Sequence, residues 1–220
     1  MNKKHLLTLT FILTSGLVLV GCKQKKLNNF SDATDRYISI FDSFEHMQIV
    51  QVQKITDLSG PAGSIHTRAI CKDRNGNLVH IDQDNAQYWH GGITFANQDD
   101  TVMVASYTDS KDSTIRHIIE DLTAMHNAKY WLNHHKRIKC AKGNKLCFVT
   151  GTHIIIDYNN NINYLVKCVD EDGNIVLTHE INPTGDIVNV TRGDEISVAP
   201  TPDNEHRAKF VCILERDKVR

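Results

Sequence analysis

Alternating apolar and polar residues dominate the chain beyond residue 40, a pattern typical of strands that bury one face. Polar turns rich in Asn, Asp and Gly separate these stretches. The Asn-Gly and Asp-Gly pairs at 75–76 and 172–173 favour tight hairpins. The pattern predicts ten short, mainly antiparallel strands. They lie at 48–55, 65–72, 78–82, 101–107, 145–149, 153–157, 162–169, 175–181, 195–199 and 207–214.

Two stretches have the period of a helix instead. The first begins near Ser31, and Tyr37, Phe41 and Phe44 recur in it at i, i+4 and i+7. The second is expected to begin at Ser113, which can cap it. Because a helix precedes each group of strands, the predicted fold class is α+β. The apolar stripe of the second helix would contain Ile115, Ile118, Ile119, Leu122 and Met125.

A repeated segment divides the chain. Residues 71–79 read CKDRNGNLV and residues 168–176 read CVDEDGNIV, so both fit C-x-D-x-[ND]-G-N-[LI]-V. Downstream, residues 97–105 (NQDDTVMVA) and 192–199 (RGDEISVA) are each a polar turn followed by an alternating stretch. The alternative is that two hairpins share turn chemistry by chance, since such turns are common between strands.

The repeat predicts two tandem β-rich units, at 31–108 and 113–220, joined by a linker at 109–112. Each unit would be a helix leading into a small antiparallel sheet or barrel. The Gly-Asp-Glu-Ile turn at 193–196 resembles turns in small barrels of the OB and SH3 types.

The chain begins with the layout of a secretory signal peptide, at 1–21. Two lysines precede a mostly apolar run at 6–20 that carries no charge and is shorter than the roughly 20 residues of a spanning helix. The run ends in Leu19-Val20-Gly21-Cys22, which resembles the lipobox of bacterial lipoproteins. Two alternatives are an ordinary signal peptide with a chance cysteine and an uncleaved anchor helix.

The resemblance to lipoproteins implies cleavage before Cys22, diacylglycerol on its sulfur and acylation of the new amino group. Residues 22–30 would then be a short tether at a membrane, since two or three acyl chains anchor a protein stably. Lys23 follows the lipidated residue, which implies export to the outer membrane, facing the periplasm, if the host has two membranes. The expected location is the bacterial cell envelope.

Charge and cysteine content narrow the classes of partner and linkage. The chain has 25 Lys and Arg against 26 Asp and Glu, so it lacks the basic excess expected of a nucleic-acid-binding protein. Five cysteines follow Cys22, and an odd number leaves at least one unpaired in an oxidising compartment. Cys140 and Cys147 flank a turn, and a disulfide between them is predicted.

Motifs of catalytic and metal sites are missing from the sequence. It contains no H-E-x-x-H, C-x-x-C or G-x-S-x-G pattern and no phosphate or dinucleotide loop, so no catalytic residue, metal or cofactor is expected. His80 and Asp82 are two apart on a predicted strand and would share a face. Residues 157–161 begin like a calcium-binding loop, but Ile162 stands where that loop needs glycine, which favours a simple turn.

The cluster Tyr88-Trp89-His90, beside two glycines, is the predicted partner-binding surface, because aromatic side chains are frequent at recognition surfaces. The competing interpretation is that these aromatics fill the core of one unit. The expected function is that of a lipid-anchored, non-enzymatic component of an envelope assembly, with another envelope protein as its partner. The alternatives are a lipoprotein that binds a small ligand or glycan, and a hydrolase in which His80, Asp82 and His90 converge.

Overall fold

Strands make up most of the regular structure in the computed structural model, which describes residues 41–57, 64–84, 92–135, 138, 140–157, 159–202 and 204–214. Two α-helices and one 3-10 helix lie between the strands. In chain order the elements are β1 (Ser43–Asp57), β2 (Ser64–Lys72), β3 (Leu78–Asp84), α1 (Gly92–Phe95), β4 (Thr101–Thr108), β5 (Thr114–Asp121), α2 (Leu122–His134), β6 (Lys145–Ile156), β7 (Ile162–Asp170), β8 (Ile175–Ile181), the 3-10 helix (Asp186–Asn189), β9 (Glu195–Thr201) and β10 (Asn204–Ile213).

The strands form two sheets of the same connectivity. The first unit, β1 to β5 with α1, has the strand order β3-β2-β1-β4-β5. The second unit, β6 to β10 with the 3-10 helix, is a closed barrel in the order β10-β8-β7-β6-β9. In each, the first strand pairs with the second and the fourth, and in the barrel the third strand lies parallel to the fifth. This is the connectivity of the OB-fold, a five-stranded Greek-key barrel.

The likeness of the two units extends to single hydrogen bonds. A bulge interrupts β1 after Ile49, and one interrupts β6 after Val149. At each bulge the strand exchanges two backbone bonds of 2.8–2.9 Å with the polar turn before the fourth strand, at 99–100 in the first unit and 193–194 in the second. These are the turns of the second repeated block, so the sequence repeat falls on structurally equivalent positions.

The units differ in how the third strand meets the fifth. In the second unit, β8 and β10 join through backbone pairs at Arg207–Leu177 and Ala208–Thr178. In the first unit, the side-chain amide of Gln83 on β3 bridges to the backbone of Ile118 on β5. The Ile118 N–H donates to Gln83 Oε1 at 2.9 Å, and Gln83 Nε2 donates to the Ile118 carbonyl at 3.5 Å. A single side chain therefore bridges the seam that a backbone ladder closes in the barrel.

Four hairpins share one five-residue turn that begins with aspartate. The Oδ1 atom of that aspartate accepts bonds from the backbone N–H groups two and four residues later, as in an Asx turn. The fourth residue takes a positive φ, which favours glycine or asparagine. Residues 157–161 form such a turn, in agreement with the sequence interpretation. The four turns start at Asp73, Asp109, Asp157 and Asp170.

Each unit has its own apolar core. Inward-facing residues of the strands fill both cores, and a buried isoleucine from the element before the fourth strand joins each, Ile93 in the first and Ile187 in the second. Helix α2 packs outside the second core through Trp131, whose Nε1 donates to Glu195 Oε1 at 2.7 Å. No helix among the described residues has the length and apolarity needed to cross a membrane.

The predicted α+β class is wrong, because the described chain is mainly β. The prediction of a helix that begins at Ser113 is also wrong for residues 114–121. Residues 114–121 form β5, paired with β4 along its length, and the helix begins at Leu122 with Asp121 as its cap. Thr and Ile are frequent in 114–119, and β-branched side chains fit a strand better than a helix. The helix expected near Ser31 lies outside the described residues.

Residues 109–112, expected to link the units, form the hairpin turn between β4 and β5. The first sheet therefore extends to Asp121, and α2 leads from it to the second sheet. The predicted signal peptide at 1–21 and tether at 22–30 lie outside the described residues.

Candidate functional site

A groove of about 400 Å³ crosses the outer face of β1, β2 and β3 in the first unit. Two rows of paired residues line it, because residues opposite each other on neighbouring strands point to the same side of a sheet. One row is Gln53, Arg68 and Asp82, and the next is Gln51, Ile70 and His80. Among the described residues, the lining comes from these three strands alone. We call this surface the first-unit groove.

The groove is lined by polar side chains together with the apolar residues Ala69, Ile70 and Ile81. Arg68 Nε donates to Asp82 Oδ2 at 3.2 Å, and about two thirds of each side chain is exposed. The glutamines and His80 are also exposed and offer both donors and acceptors. Arg68 thus holds Asp82 in place. His80 lies two residues before Asp82 on β3, a separation of about 6–7 Å along the strand. The sequence prediction that His80 and Asp82 share a face is confirmed by their place in this groove.

The equivalent face of the second unit is occupied. Strand register matches Gln51 to Gly151 and Ile70 to Lys167, because both pairs follow the same bulge. Phe95, at the end of α1, packs on this face with Leu165 and Leu177. The partly buried side chain of Ile155 packs against these three. The Lys167 ammonium lies 5.7 Å from the centre of the Phe95 ring. We call the outer surface of β6–β8 the receiving face and the end of α1 the tip.

Gly151 permits this contact. A Cβ atom at that position would lie 2.6 Å from the Cβ of Phe95, well inside ordinary contact distance. Phe95 itself is only 3% exposed. The close approach of the first unit to the second therefore depends on the absence of a side chain at residue 151.

A cluster of charges borders the same junction. Arg192 of the second unit donates to both carboxylate oxygens of Asp100, at 2.6 and 2.7 Å, and also to Asp121. Both carboxylates belong to the first unit, and each side chain is less than a tenth exposed. Nη1 contacts Asp100 and Nη2 contacts Asp121, so one guanidinium bridges two carboxylates. Arg192 thus ties the two units together at a defined angle.

Burial shifts the titration of the groups around this clamp. Burial lowers the pKa of Lys54 and the pKa of Lys167 to about 8 each. The negative charge of Asp121 opposes this shift at both lysines. Burial also raises the pKa of Asp121, against the lowering effect of Arg192. Burial, together with the charge of Lys54, lowers the pKa of His153 to about 4, so the imidazole is neutral near pH 7. The junction therefore holds its charges at the cost of desolvating them.

The cluster has no feature of a metal centre. No group of three or more His, Cys, Asp or Glu residues lies close enough to bind an ion in the part of the chain that the structure describes. His153 Nε2 and Arg192 Nε are buried without a hydrogen-bond partner within the same ranges. The charges are paired across the junction, and this arrangement suits a structural contact between the units.

The cysteine pairing expected from sequence is not formed. Cys140 and Cys147 are both free thiols and lie in different apolar clusters, one under α2 and one inside the barrel. The Cys147 thiol forms a hydrogen bond with the thiol of Cys168 on the neighbouring strand, and both cysteines are free. That contact and burial raise the pKa of Cys147 well above its usual range. Alternation on β6 turns residue 147 into the barrel, away from Cys140.

Other predicted site residues lie outside the described residues. These are the lipidation site Cys22 and the proposed surface at Tyr88, Trp89 and His90. The residues that join the units, Phe95, Gly151 and Arg192, were missed by sequence reasoning. Neither repeated block contains residue 151, and its equivalence to Gln51 is seen only in the strand pairing.

No known protein family matches this chain, and no match was found among curated proteins or solved structures.

Proposed function

We propose that the protein is a lipid-anchored, non-enzymatic envelope protein that binds a protein partner through the first-unit groove. The observation that carries the proposal is the occupied receiving face of the second unit. The same face, in the same connectivity and register, accepts a protruding side chain from another element there. The outer face of the equivalent strands thus serves as a contact surface in the second unit, where Gly151 stands in the place of Gln51.

The chemistry of the first-unit groove favours a polar protein segment. Its glutamines, Arg68, His80 and Asp82 are exposed and present donors and acceptors in two parallel rows. A segment that presents several donors and acceptors would satisfy them. Burying such groups without partners would be costly, so an occupant of the groove must offer hydrogen-bonding groups to them.

Membrane attachment is the second part of the proposal and rests on Leu19-Val20-Gly21-Cys22. The intact mass of native protein extracted in detergent tests it. A chain starting at Cys22 and carrying two or three acyl chains is expected. An unacylated chain, or one that retains residues 1–21, would overturn the lipid anchor without bearing on the groove.

Photocrosslinking in the native host tests the groove. A photoreactive amino acid replaces Gln53 in the groove or, as the control, Lys129 on the exposed side of α2. We expect a defined protein adduct from position 53 that is absent at position 129, and loss of that adduct when Arg68→Ala is added. Equal labelling from both positions, or none from position 53, would overturn the proposal.

A second candidate is binding of a small polar ligand such as a glycan, which the same hydrogen-bonding groups favour. Calorimetry with fragments of envelope glycans tests this candidate. Saturable heat that disappears in Arg68→Ala would support it, whereas heat unchanged by that substitution would place any binding elsewhere.

A further inference from the structure

We propose that His135 forms a pH-sensitive contact between the end of α2 and the second unit, complete at acid pH and weakened as the pH rises through neutrality. Helix α2 leads from the sheet of the first unit to the barrel of the second, so its end belongs to the connection between them. The contact is separate from the groove and from the lipid anchor, so it goes beyond the proposed function.

Both ring nitrogens of His135 face oxygen atoms that accept hydrogen bonds. Nδ1 lies 2.9 Å from the carbonyl oxygen of Trp131, and Nε2 lies 3.4 Å from Oε1 of Glu171. A backbone carbonyl and an ionised carboxylate only accept, whereas a neutral imidazole carries a proton on one nitrogen alone. The two bonds therefore form together only when both nitrogens carry a proton and the ring is a cation.

The immediate surroundings also favour the cation. The ring stacks on the indole of Trp131, with 4.2 Å between the two centroids and 20° between the planes, and an aromatic face attracts a cation. His135 caps the C-terminus of α2, where the helix dipole is negative. Its side chain is only 5% exposed, so water does little to separate a neutral ring from an oxygen that it cannot bond.

The titratable groups around this end of α2 add a negative field. Lys145 donates to Asp170 at 2.7 Å, so these two charges offset each other and leave carboxylates as the remaining charged groups of the set. That balance favours a proton on His135. Within the described residues, the set is Lys145 on β6, Asp170 on β7, Glu171 and Asp172 in the turn after β7, Glu195 on β9, which accepts the indole N–H of Trp131, and the thiol of Cys140.

The neighbouring histidine repeats this geometry without the carboxylate. His134 Nδ1 lies 2.8 Å from the carbonyl oxygen of Tyr130, and its ring stacks on Tyr130 with 4.2 Å between the centroids. In the part of the chain that the structure describes, no carboxylate lies within ion-pair distance of the exposed His134. A neutral ring with its proton on Nδ1 therefore satisfies His134, and its contact needs no second proton.

The direction of the pH effect follows from these contacts. Loss of a proton would place the lone pair of Nε2 against the carboxylate of Glu171, which turns an attraction into a repulsion. The last turn of α2 would then lose one attachment to the second unit, while Trp131 and Leu132 stay packed. Histidine changes its charge between about pH 5 and pH 8, so the contact is present on the acid side of this range and lost on the other.

Hydrogen exchange of the full-length protein in detergent, followed by mass spectrometry at pH 5.5 and pH 7.5, tests this contact. The rates are corrected for the intrinsic effect of pH on amide exchange. We expect protection of residues 131–135 to fall by about tenfold between the two pH values, as loss of one charge-assisted hydrogen bond predicts.

Three variants assign the change to the His135 contact. Glu171→Gln should remove the pH dependence, because an amide can pair with either form of the ring. His135→Gln should remove it as well, because no titratable group remains. His134→Gln is the matched control and should keep the tenfold change. Asp121, whose pKa burial raises to about 6, titrates at the other end of α2, so each variant is compared with the wild type at both pH values.

Three results would overturn the proposal. Equal protection of residues 131–135 in the wild type at both pH values would show that no pH-sensitive contact exists there. A tenfold change that persists in Glu171→Gln would place its cause outside the His135–Glu171 pair. Loss of the change in His134→Gln, with the change retained in His135→Gln, would assign it to the wrong histidine.

Discussion

Replacing Gly151 by alanine should push the two units apart. The new Cβ would lie 2.6 Å from Phe95 Cβ and 3.2–3.3 Å from two ring carbons, so the units must separate by nearly an ångström to reach ordinary contact. Phe95 is held between two leucines and has little room to retreat. Overpacking of this kind costs about 1–3 kcal/mol of folding free energy.

A double-mutant cycle tests that mechanism. Phe95→Gly removes every side-chain atom that the new methyl group meets and should cost about 3–5 kcal/mol by itself, because it leaves a cavity. In its presence, Gly151→Ala should cost little, giving a coupling of about 1–3 kcal/mol. Urea unfolding of the detergent-solubilised protein, followed by tryptophan fluorescence, measures all four corners.

A second cycle provides the control. Gly151→Ala and Ile81→Val, a change in the core of the first unit, should be additive within about 0.5 kcal/mol because the sites share no partner. Wild-type stability in Gly151→Ala, or equal costs with and without Phe95, would refute the packing argument.

Three further predictions concern charge and thiol chemistry. Arg192→Ala should destabilise the protein by about 3–5 kcal/mol, because it leaves two buried carboxylates unpaired. The matched change Arg68→Ala, in an exposed pair, should cost at most about 1 kcal/mol, and similar urea midpoints for the two would contradict the role of the clamp. The pKa of His153 is lower in the folded state, about 4, than its ordinary value of 6.5, so the unfolded state binds more protons and stability falls as pH drops from 6.5 towards 4. His153→Gln should flatten the fall in unfolding free energy between pH 7 and pH 4.5. An unchanged slope would show that other groups cause the fall. Buried thiols should resist iodoacetamide in the native protein, while half-buried thiols react. Mass spectrometry before and after unfolding counts the modified thiols. Equal reaction of all thiols in the native state would contradict their positions. The buried thiols are Cys71, Cys147 and Cys168, and the half-buried ones are Cys140 and Cys212.

Alternation and turn chemistry were enough to predict most strands. Nine of the ten observed strands overlap predicted ones, because each alternating stretch ends at a polar turn with a strong local preference. The strand β5 was missed since Ile115, Ile118 and Leu122 recur with the period of a helix, although residues 114–121 form a strand. Only pairing with β4 decides between these alternatives, and that pairing is not local.

The contacts between the units were beyond sequence reasoning for a related reason. Phe95 lies in a four-residue helix that shows no periodicity, and its partners are more than 50 residues away. The groove itself was not predicted, only the shared face of His80 and Asp82. The residues of β1 and β2 that complete it become clear only when the bulge in β1 fixes the register.

The Gln83 bridge gives the two units different mechanical character. A backbone ladder opens only when paired peptide groups separate together, but the seam of the first unit opens by rotation of one side chain. The wall that carries the groove ends at this seam, since β3 contributes both Gln83 and His80. Fewer backbone hydrogen bonds therefore resist a change in the spacing of β3 and β5 than a change in the spacing of β8 and β10.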